Sequence, residues 1–242
     1  LTFYYDSKFI KVPPKSSIDL KKYILKNKGR FTFPQPPDFV GTSFLKQILI
    51  EVISNKDLLQ SEYQDRIHKE KLQPLWLWLD EVTPYLWRKG KNYPSNYLAL
   101  TELVAEREID IGMAFNISHA SNAISEKRLP KTVRSYIHEM GTLANIHFLT
   151  IPYNSSKKEA AKVFVNFLIS PYAQIRKQDN NFWGDPSVLS MDKLDKEWKN
   201  RFTKISRGVA TLSNDDLKIK LQEPHPSWVK ALEEGWIKRY GS

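Results

Sequence analysis

Residues 30–49 constrain the fold of this chain more than any other stretch. They read RFTFPQPPDFVGTSFLKQIL, in which Phe31 and Phe33 alternate as one face of a short strand requires. The prolines that follow end the strand, and the apolar spacing from Phe44 onward predicts a helix whose N-terminal cap falls at Gly41, Thr42 and Ser43. Free backbone N–H groups and a positive macrodipole at such a helix start suit an anion or a carbonyl group. The alternative is an ordinary hydroxyl N-cap that binds no ligand.

Strand and helix signals alternate along the first half of the chain. Residues 1–6 have strand character and lead to a helix that ends at Gly29, ahead of the strand and helix described above. Residues 109–115 (IDIGMAF) form a nearly continuous apolar run, as central parallel strands do, and residues 146–152 predict a further strand. This order predicts an α/β fold with a mixed, largely parallel sheet flanked by helices.

A strongly amphipathic helix is predicted after residues 146–152. Val163, Phe164 and Phe167 recur at helical spacing, which is typical of a face buried against the rest of a fold. Ser170 followed by Pro171 then predicts the start of a shorter helix. The remaining C-terminal third is also helical in pattern.

Composition and motifs narrow the possible functions. The chain has no cysteine, which excludes disulfides and thiolate metal sites, and the sequence contains no apolar run long enough to span a membrane. A net charge of +10 raises the alternative of a nucleic-acid-binding or other interaction domain. The basic residues are scattered without an arginine-rich tract, which favours a solvated surface. A hydrolase is less favoured still, because the sequence has no Gly-x-Ser-x-Gly, phosphate-loop or Gly-x-Gly-x-x-Gly motif.

Several strings in the sequence resemble one protein family. VFVNFLISPYAQIRKQ, residues 163–178, is similar to the helix–Ser-Pro–helix segment of extracellular solute-binding proteins of ABC importers. FYYDS, PPDFVGTSFLKQ, LWRKGKNYPSN and NNFWGDPSVLSMDKL agree with that family and, within it, with a YnjB-like subgroup. The likeness extends from Phe3 to about Phe202.

The resemblance implies a periplasmic-binding-protein-like fold of two lobes, with the first part of the N-terminal lobe missing from this chain. Residues 1–146 are then the C-terminal lobe with the first crossing strand at 1–6. Residues 147–190 are the return crossing and a residual N-terminal-lobe segment, and residues 191–242 are C-terminal helices that pack back on the lobes.

The resemblance also implies a transport function. A non-catalytic, monomeric protein of the periplasm, or one outside the cytoplasm in association with the membrane, would capture a small solute in the interlobe cleft by hinge closure. It would deliver that solute to an ABC permease in the cytoplasmic membrane. No cofactor, metal or nucleic-acid partner is expected.

Seven residues are the candidate ligand contacts, and two of them lie on the first crossing strand. Tyr5 and Asp6 place an aromatic ring beside a carboxylate, which suits a cationic or heteroaromatic ligand. The alternatives are hinge packing for Tyr5 and a turn cap for Asp6. The full set is Thr42, Ser43, Tyr5, Asp6, Trp87, Asn116 and Asn145.

The other candidates depend on their position relative to predicted strands. Asn116 directly follows the strand 109–115, where α/β sheets place their ligands, although it could be a simple turn residue. Asn145 borders the return crossing, and Trp87 ends a helix, where a core role is the alternative. His138 and Glu139 are adjacent and lack helical ligand spacing, so no metal site is predicted.

Overall fold

The computed structural model describes residues 1–213 and 215–241, which form helices packed around two small sheets. The strands are β1 (Thr2–Asp6), β2 (Ile111–Ala114), β3 (Val133–Tyr136), β4 (Thr142–Leu143) and β5 (Lys220–Leu221). The α-helices are α1 (Ser17–Lys26), α2 (Phe39–Val52), α3 (Asp65–His68), α4 (Gln73–Val82), α5 (Tyr97–Ala105), α6 (His119–Ser125), α7 (Lys158–Leu168), α8 (Pro171–Gln178), α9 (Lys196–Thr203) and α10 (Ser227–Tyr240). Within the described residues, no helix combines the length and the apolar character of a membrane span.

β1 is the central strand of the larger sheet, whose order is β2-β1-β3. It runs antiparallel to both neighbours, with Thr2 opposite Ala114 and Asp6 opposite Val133. The carboxyl ends of β2 and β3 therefore lie beside the amino end of β1, at what we call the proximal edge. The opposite end of the sheet, where β2 and β3 begin beside Asp6, is the distal edge.

The mixed sheet predicted from the sequence is confirmed, but the prediction of largely parallel pairing is wrong for the larger sheet. Parallel pairing joins β4 to β5 and forms a bridge between Phe31 and Ile111, whereas both ladders of β1 are antiparallel. An apolar run such as IDIGMAF indicates a strand buried on both faces. It does not encode the direction of the neighbouring strand.

The strand predicted at residues 146–152 is not formed. This segment has no regular secondary structure and is mostly exposed, and no strand pairs with it within the described residues. A strand needs a hydrogen-bonding neighbour, so strand-like composition without one leaves the chain irregular. The adjacent helix pair is confirmed: the hydroxyl of Ser170 accepts the N–H of Ala173, and Pro171 is the first residue of α8.

The core lies between the larger sheet and the helices around it. α2 is buried along nearly its whole length, from Val40 to Ile50. The rings of Phe33 and Phe44 are 4.7 Å apart, and Trp236 of α10 meets Phe33 edge-on at 6.2 Å. Burial of these large rings is the main source of packing energy here, and it fixes α2 and the loop before it against the sheet.

Two segments of the chain lie side by side at the proximal edge. The backbone nitrogen of Leu1 donates to the carbonyl of Leu143 at 2.6 Å, and the hydroxyl of Thr142 donates back to the carbonyl of Leu1. Just before this pair, the buried imidazole of His138 lies 2.6 Å from the carboxylate of Glu51 on α2. The segment around Leu143 is therefore anchored to α2, and the start of β1 is held beside that segment.

Candidate functional site

The helix start predicted at Thr42 and Ser43 is wrong, because α2 begins at Phe39 with Asp38 as its N-cap. The carboxylate of Asp38 accepts the N–H groups of Val40 and Gly41 at 2.9 and 3.1 Å. These bonds satisfy donors that the sequence interpretation left free for a ligand.

Thr42 and Ser43 consequently lie inside the helix and are buried, with 4% and 0% of their surfaces exposed. The hydroxyl of Thr42 donates to Glu233 of α10 at 2.7 Å, and that of Ser43 donates to the carbonyl of Phe39 at 2.7 Å. The prediction that they line an open groove is therefore wrong in this structure. The physical reason is the earlier cap at Asp38, which places both residues inside the helix and Thr42 against α10.

Three predicted residues lie together at the distal edge. Tyr5 is half-buried beside Tyr136, with ring centroids 5.6 Å apart, and Asp6 accepts the N–H of Lys8 at 2.9 Å in a turn. The backbone N–H of Trp87 donates to the carbonyl of Phe31. Phe31 in turn forms a parallel β-bridge with Ile111, the first residue of β2.

Asn116 and Asn145 lie at the proximal edge. Asn116 follows β2, accepts the N–H of Ser118 at 2.8 Å, and donates to the carbonyl of Trp183 at 3.4 Å. Asn145 is exposed and lies two residues beyond Leu143, which is bonded to the start of β1. The length of β1, roughly 3.4 Å per residue, separates these amides from the distal group. The predicted residues therefore do not border one groove, and their ligand contacts stay predictions.

Sequence reasoning missed an aromatic pair at the proximal edge. Phe39 begins α2 and is 52% exposed, and its ring centroid lies 4.8 Å from that of Phe115, which follows β2. Asp is a favoured N-cap residue, so the start of α2 after Asp38 had a local signal. The contact with Phe115 had none, because it depends on tertiary packing.

Phe39, Phe115 and Asn116 offer stacking and hydrogen bonding at the proximal edge. The nearby His119 is buried, and burial, followed by the charge of Arg128, lowers its pKa to about 4. Its Nε2 lies 2.9 Å from the hydroxyl of Thr101, which in turn lies 2.8 Å from the hydroxyl of Tyr4. This closed chain of side chains accounts for a neutral, structural histidine. The described residues contain no cluster of acidic and histidine side chains that could hold a metal.

Two cavities open at the distal edge, with volumes of about 700 and 200 Å³. They share Phe9, Ile10 and Asp110 as lining residues. The carboxylate of Asp110 is already occupied by Arg30 and by the hydroxyl of Tyr23 at 2.7 Å. Neither cavity is lined by Phe39 or Asn116.

Comparison with known proteins identifies the family. The model of the bacterial extracellular solute-binding proteins matches residues 1–201. Protein YnjB of Escherichia coli (strain K12) is 38% identical over 242 residues, which is all of this chain and 61% of YnjB. The chain thus spans less than two thirds of the curated relative that it matches.

Solved structures agree with this assignment at the level of the fold. A periplasmic thiamin binding protein is 19% identical, with a TM-score of 0.56 over all of this chain and 63% of that chain. The substrate binding protein of an ABC transporter from Agrobacterium tumefaciens is 14% identical, with a TM-score of 0.52 over all of this chain and 65% of that chain. The predicted periplasmic-binding-protein-like α/β fold is confirmed, and the chain belongs to the family of bacterial extracellular solute-binding proteins.

Proposed function

We propose that this protein is the solute-binding component of an ABC importer, which captures a small solute between two lobes and delivers it to a membrane permease. Membership of an extracellular family supports a binding role and the predicted periplasmic localisation. It gives no support to the nucleic-acid-binding or hydrolase alternatives. We further propose that the protein acts as a monomer and without catalysis.

The layout of the proximal edge carries this proposal. The start of β1 and the segment around Leu143 lie side by side there, as two connections between lobes would at a hinge. Phe39, Phe115 and Asn116 lie at the same edge, so a second lobe that closed over it would cover them. Ligand sites need such convergent aromatic and polar groups on a surface that becomes enclosed.

The exposed face of α7 supports the existence of that second lobe. No described residue of α7 is buried, and Val163, Phe164 and Phe167 are 72%, 59% and 48% exposed. Phe148, in the irregular segment before the helix, is 82% exposed. A helix with one apolar stripe normally buries it. We propose that residues 147–190 belong to a lobe completed by segments that relatives carry outside the matched region.

The proximal edge also indicates the kind of solute. The rings of Phe39 and Phe115 favour an aromatic or apolar body, and the amides of Asn116 and Asn145 favour polar groups on it. The carboxylate of Asp38 already occupies the N–H groups at the start of α2, which disfavours an anion there. The balance points to a neutral or cationic solute with an aromatic part.

The test is native mass spectrometry of full-length YnjB from Escherichia coli, followed by calorimetric titration of the recovered solute into YnjB and into this chain. We expect YnjB to carry a bound small molecule. The mass of that molecule should be the same before and after incubation with the protein. We also expect binding to this chain to be weaker by orders of magnitude, because a closed cleft takes contacts from two lobes. Chemical conversion of the solute, or equal affinity in both proteins, would contradict the proposal.

A further inference from the structure

Much of the positive charge of the chain is concentrated at the distal edge. The loops at residues 6–11, 27–30, 87–90, 106–110 and 126–134 meet there, because β2 and β3 begin beside the end of β1. They contain eleven basic and five acidic residues, a net charge of +6 out of +10 for the whole chain. Two of the acidic residues, Glu126 and Asp110, pair with arginines of the same loops. The remaining basic side chains there give this end a positive potential.

Four of these basic residues have a left-handed backbone. Among the described residues, positive φ angles outside glycine occur at Arg88 (49°), Lys89 (59°), Arg107 (61°) and Lys127 (60°). Glycine adopts this conformation with the least strain, so a charged side chain at each position is a costly choice. Attraction to a helix C-terminus offsets that strain for Arg107 after α5 and Lys127 after α6. Arg88 and Lys89 follow no α-helix and have no such compensation.

Aromatic rings are interleaved with the basic side chains. The guanidinium of Arg107 lies 3.7 Å from the ring centroid of Phe9, and that of Arg88 lies 4.3 Å from the ring of Trp87. Phe9 is 46% exposed, and the nearby Val12 is 82% exposed. Basic residues beside exposed aromatic and apolar ones are the composition of surfaces that rest on lipid headgroups.

We propose that the distal edge docks on the surface of an anionic phospholipid membrane. Five loops at one end of the sheet present the charge as a broad surface, which suits a plane of headgroups. The larger cavity at this edge is not an anion pocket, because its lysines (Lys15, Lys22 and Lys26) are matched in number by its carboxylates (Asp19, Asp110 and Glu139). The extracellular family disfavours a nucleic-acid partner. Docking of this kind needs no solute and does not depend on the proposed transport function.

The test is co-sedimentation of the 242-residue chain with vesicles of phosphatidylcholine and phosphatidylglycerol in equal parts, without solute. We expect binding that high salt abolishes, and none to vesicles of phosphatidylcholine alone. The decisive variant combines Lys89→Gly, Arg107→Gly and Lys127→Gly. Because glycine fits a positive φ, the relief of backbone strain should offset the lost side-chain contacts, and this variant should unfold close to the temperature of the parent. Its vesicle binding should be about a hundredfold weaker, at about fivefold per basic side chain removed.

A matched control removes the same charge elsewhere through Lys196→Gln, Lys230→Gln and Lys238→Gln, all exposed lysines of α9 and α10. Its vesicle binding should stay close to that of the parent. Equal loss in the control, equal binding to both vesicle types, or no binding at low salt would overturn the proposal. Tighter binding to duplex DNA than to the anionic vesicles, lost in the glycine variant, would assign the surface to nucleic acid instead.

Discussion

Replacing Glu51 by glutamine should lower the free energy of unfolding by about 3 kcal/mol. The side chain of Glu51 is 2% exposed, and its carboxylate lies 2.6 Å from Nδ1 of His138. It also accepts the side-chain amide of Gln47 at 2.8 Å and the backbone N–H of Ser17 at 2.5 Å. A glutamine has one acceptor oxygen and turns an NH₂ group toward these donors, so at least one buried group loses its partner.

The same contacts set the pH dependence of Glu51. Burial raises the pKa of its carboxyl, but hydrogen bonding and attraction to His138, with bonds from Gln47 and Ser17, outweigh burial and hold that pKa below its ordinary value. A lowered folded-state pKa contributes stability above the unfolded value, about 4.3 for glutamate, and loses it as the pH falls further. The difference in the free energy of unfolding between the parent and Glu51→Gln should therefore be largest at pH 7 and should shrink in acid.

Urea unfolding followed by tryptophan fluorescence measures both effects. Glu62→Gln, a change at an exposed position, is the control and should shift stability by less than about 0.5 kcal/mol. A loss below about 1 kcal/mol for Glu51→Gln at pH 7, or a difference that grows in acid, would refute the reasoning. The result bears on the proposed function because Glu51 ties α2 to the segment that contacts Leu1, where we propose the hinge.

Three further predictions concern the cap, the buried histidine and the exposed helix. Asp38→Ala should cost about 1 kcal/mol in urea unfolding, because the first N–H groups of α2 lose their acceptor; no loss would contradict the observed cap. Because the pKa of His119 is lowered in the folded state, the free energy of unfolding should fall as the pH drops from about 6.5 toward 4. His119→Gln should flatten this dependence of stability on pH. An unchanged dependence in the variant would contradict a buried neutral imidazole. Phe164→Ser with Phe167→Ser should reduce the binding of a hydrophobic dye while changing stability by less than about 0.5 kcal/mol; a large loss of stability would show that this face is already packed.

Sequence reasoning located the helix α2 but misplaced its start. Asp38 and the Gly41-Thr42-Ser43 step are both plausible caps, and local pattern does not choose between them. Tertiary packing distinguishes them. A Cβ atom on Gly41 would lie 2.1 Å from the carbonyl oxygen of Pro34, so this glycine allows close packing inside the helix and is not the cap residue.

The position of β2 was likewise easier to predict than its strand partner. Residues 109–115 contain β2, and Asn116 follows its carboxyl end as predicted. The sequences of β1 and β2 do not encode whether the two strands pair in parallel or antiparallel. That relative direction decides which loops lie at the same edge of the sheet. That direction places Tyr5 and Asp6 at the distal edge, away from Asn116, and brings the loop after β2 to the start of α2. Composition alone could not reveal either grouping.

The most direct test of the account is NMR chemical-shift mapping of this chain, titrated with the solute recovered from full-length YnjB. The account predicts that the largest amide shifts occur at the proximal edge, at Phe39, Phe115 and Asn116. The indole N–H of Trp87, which is bonded to Glu108 at the distal edge, is an internal reference that should not move. Shifts confined to Tyr5, Asp6 and Trp87, or none under saturating solute, would contradict a solute-binding surface at the proximal edge.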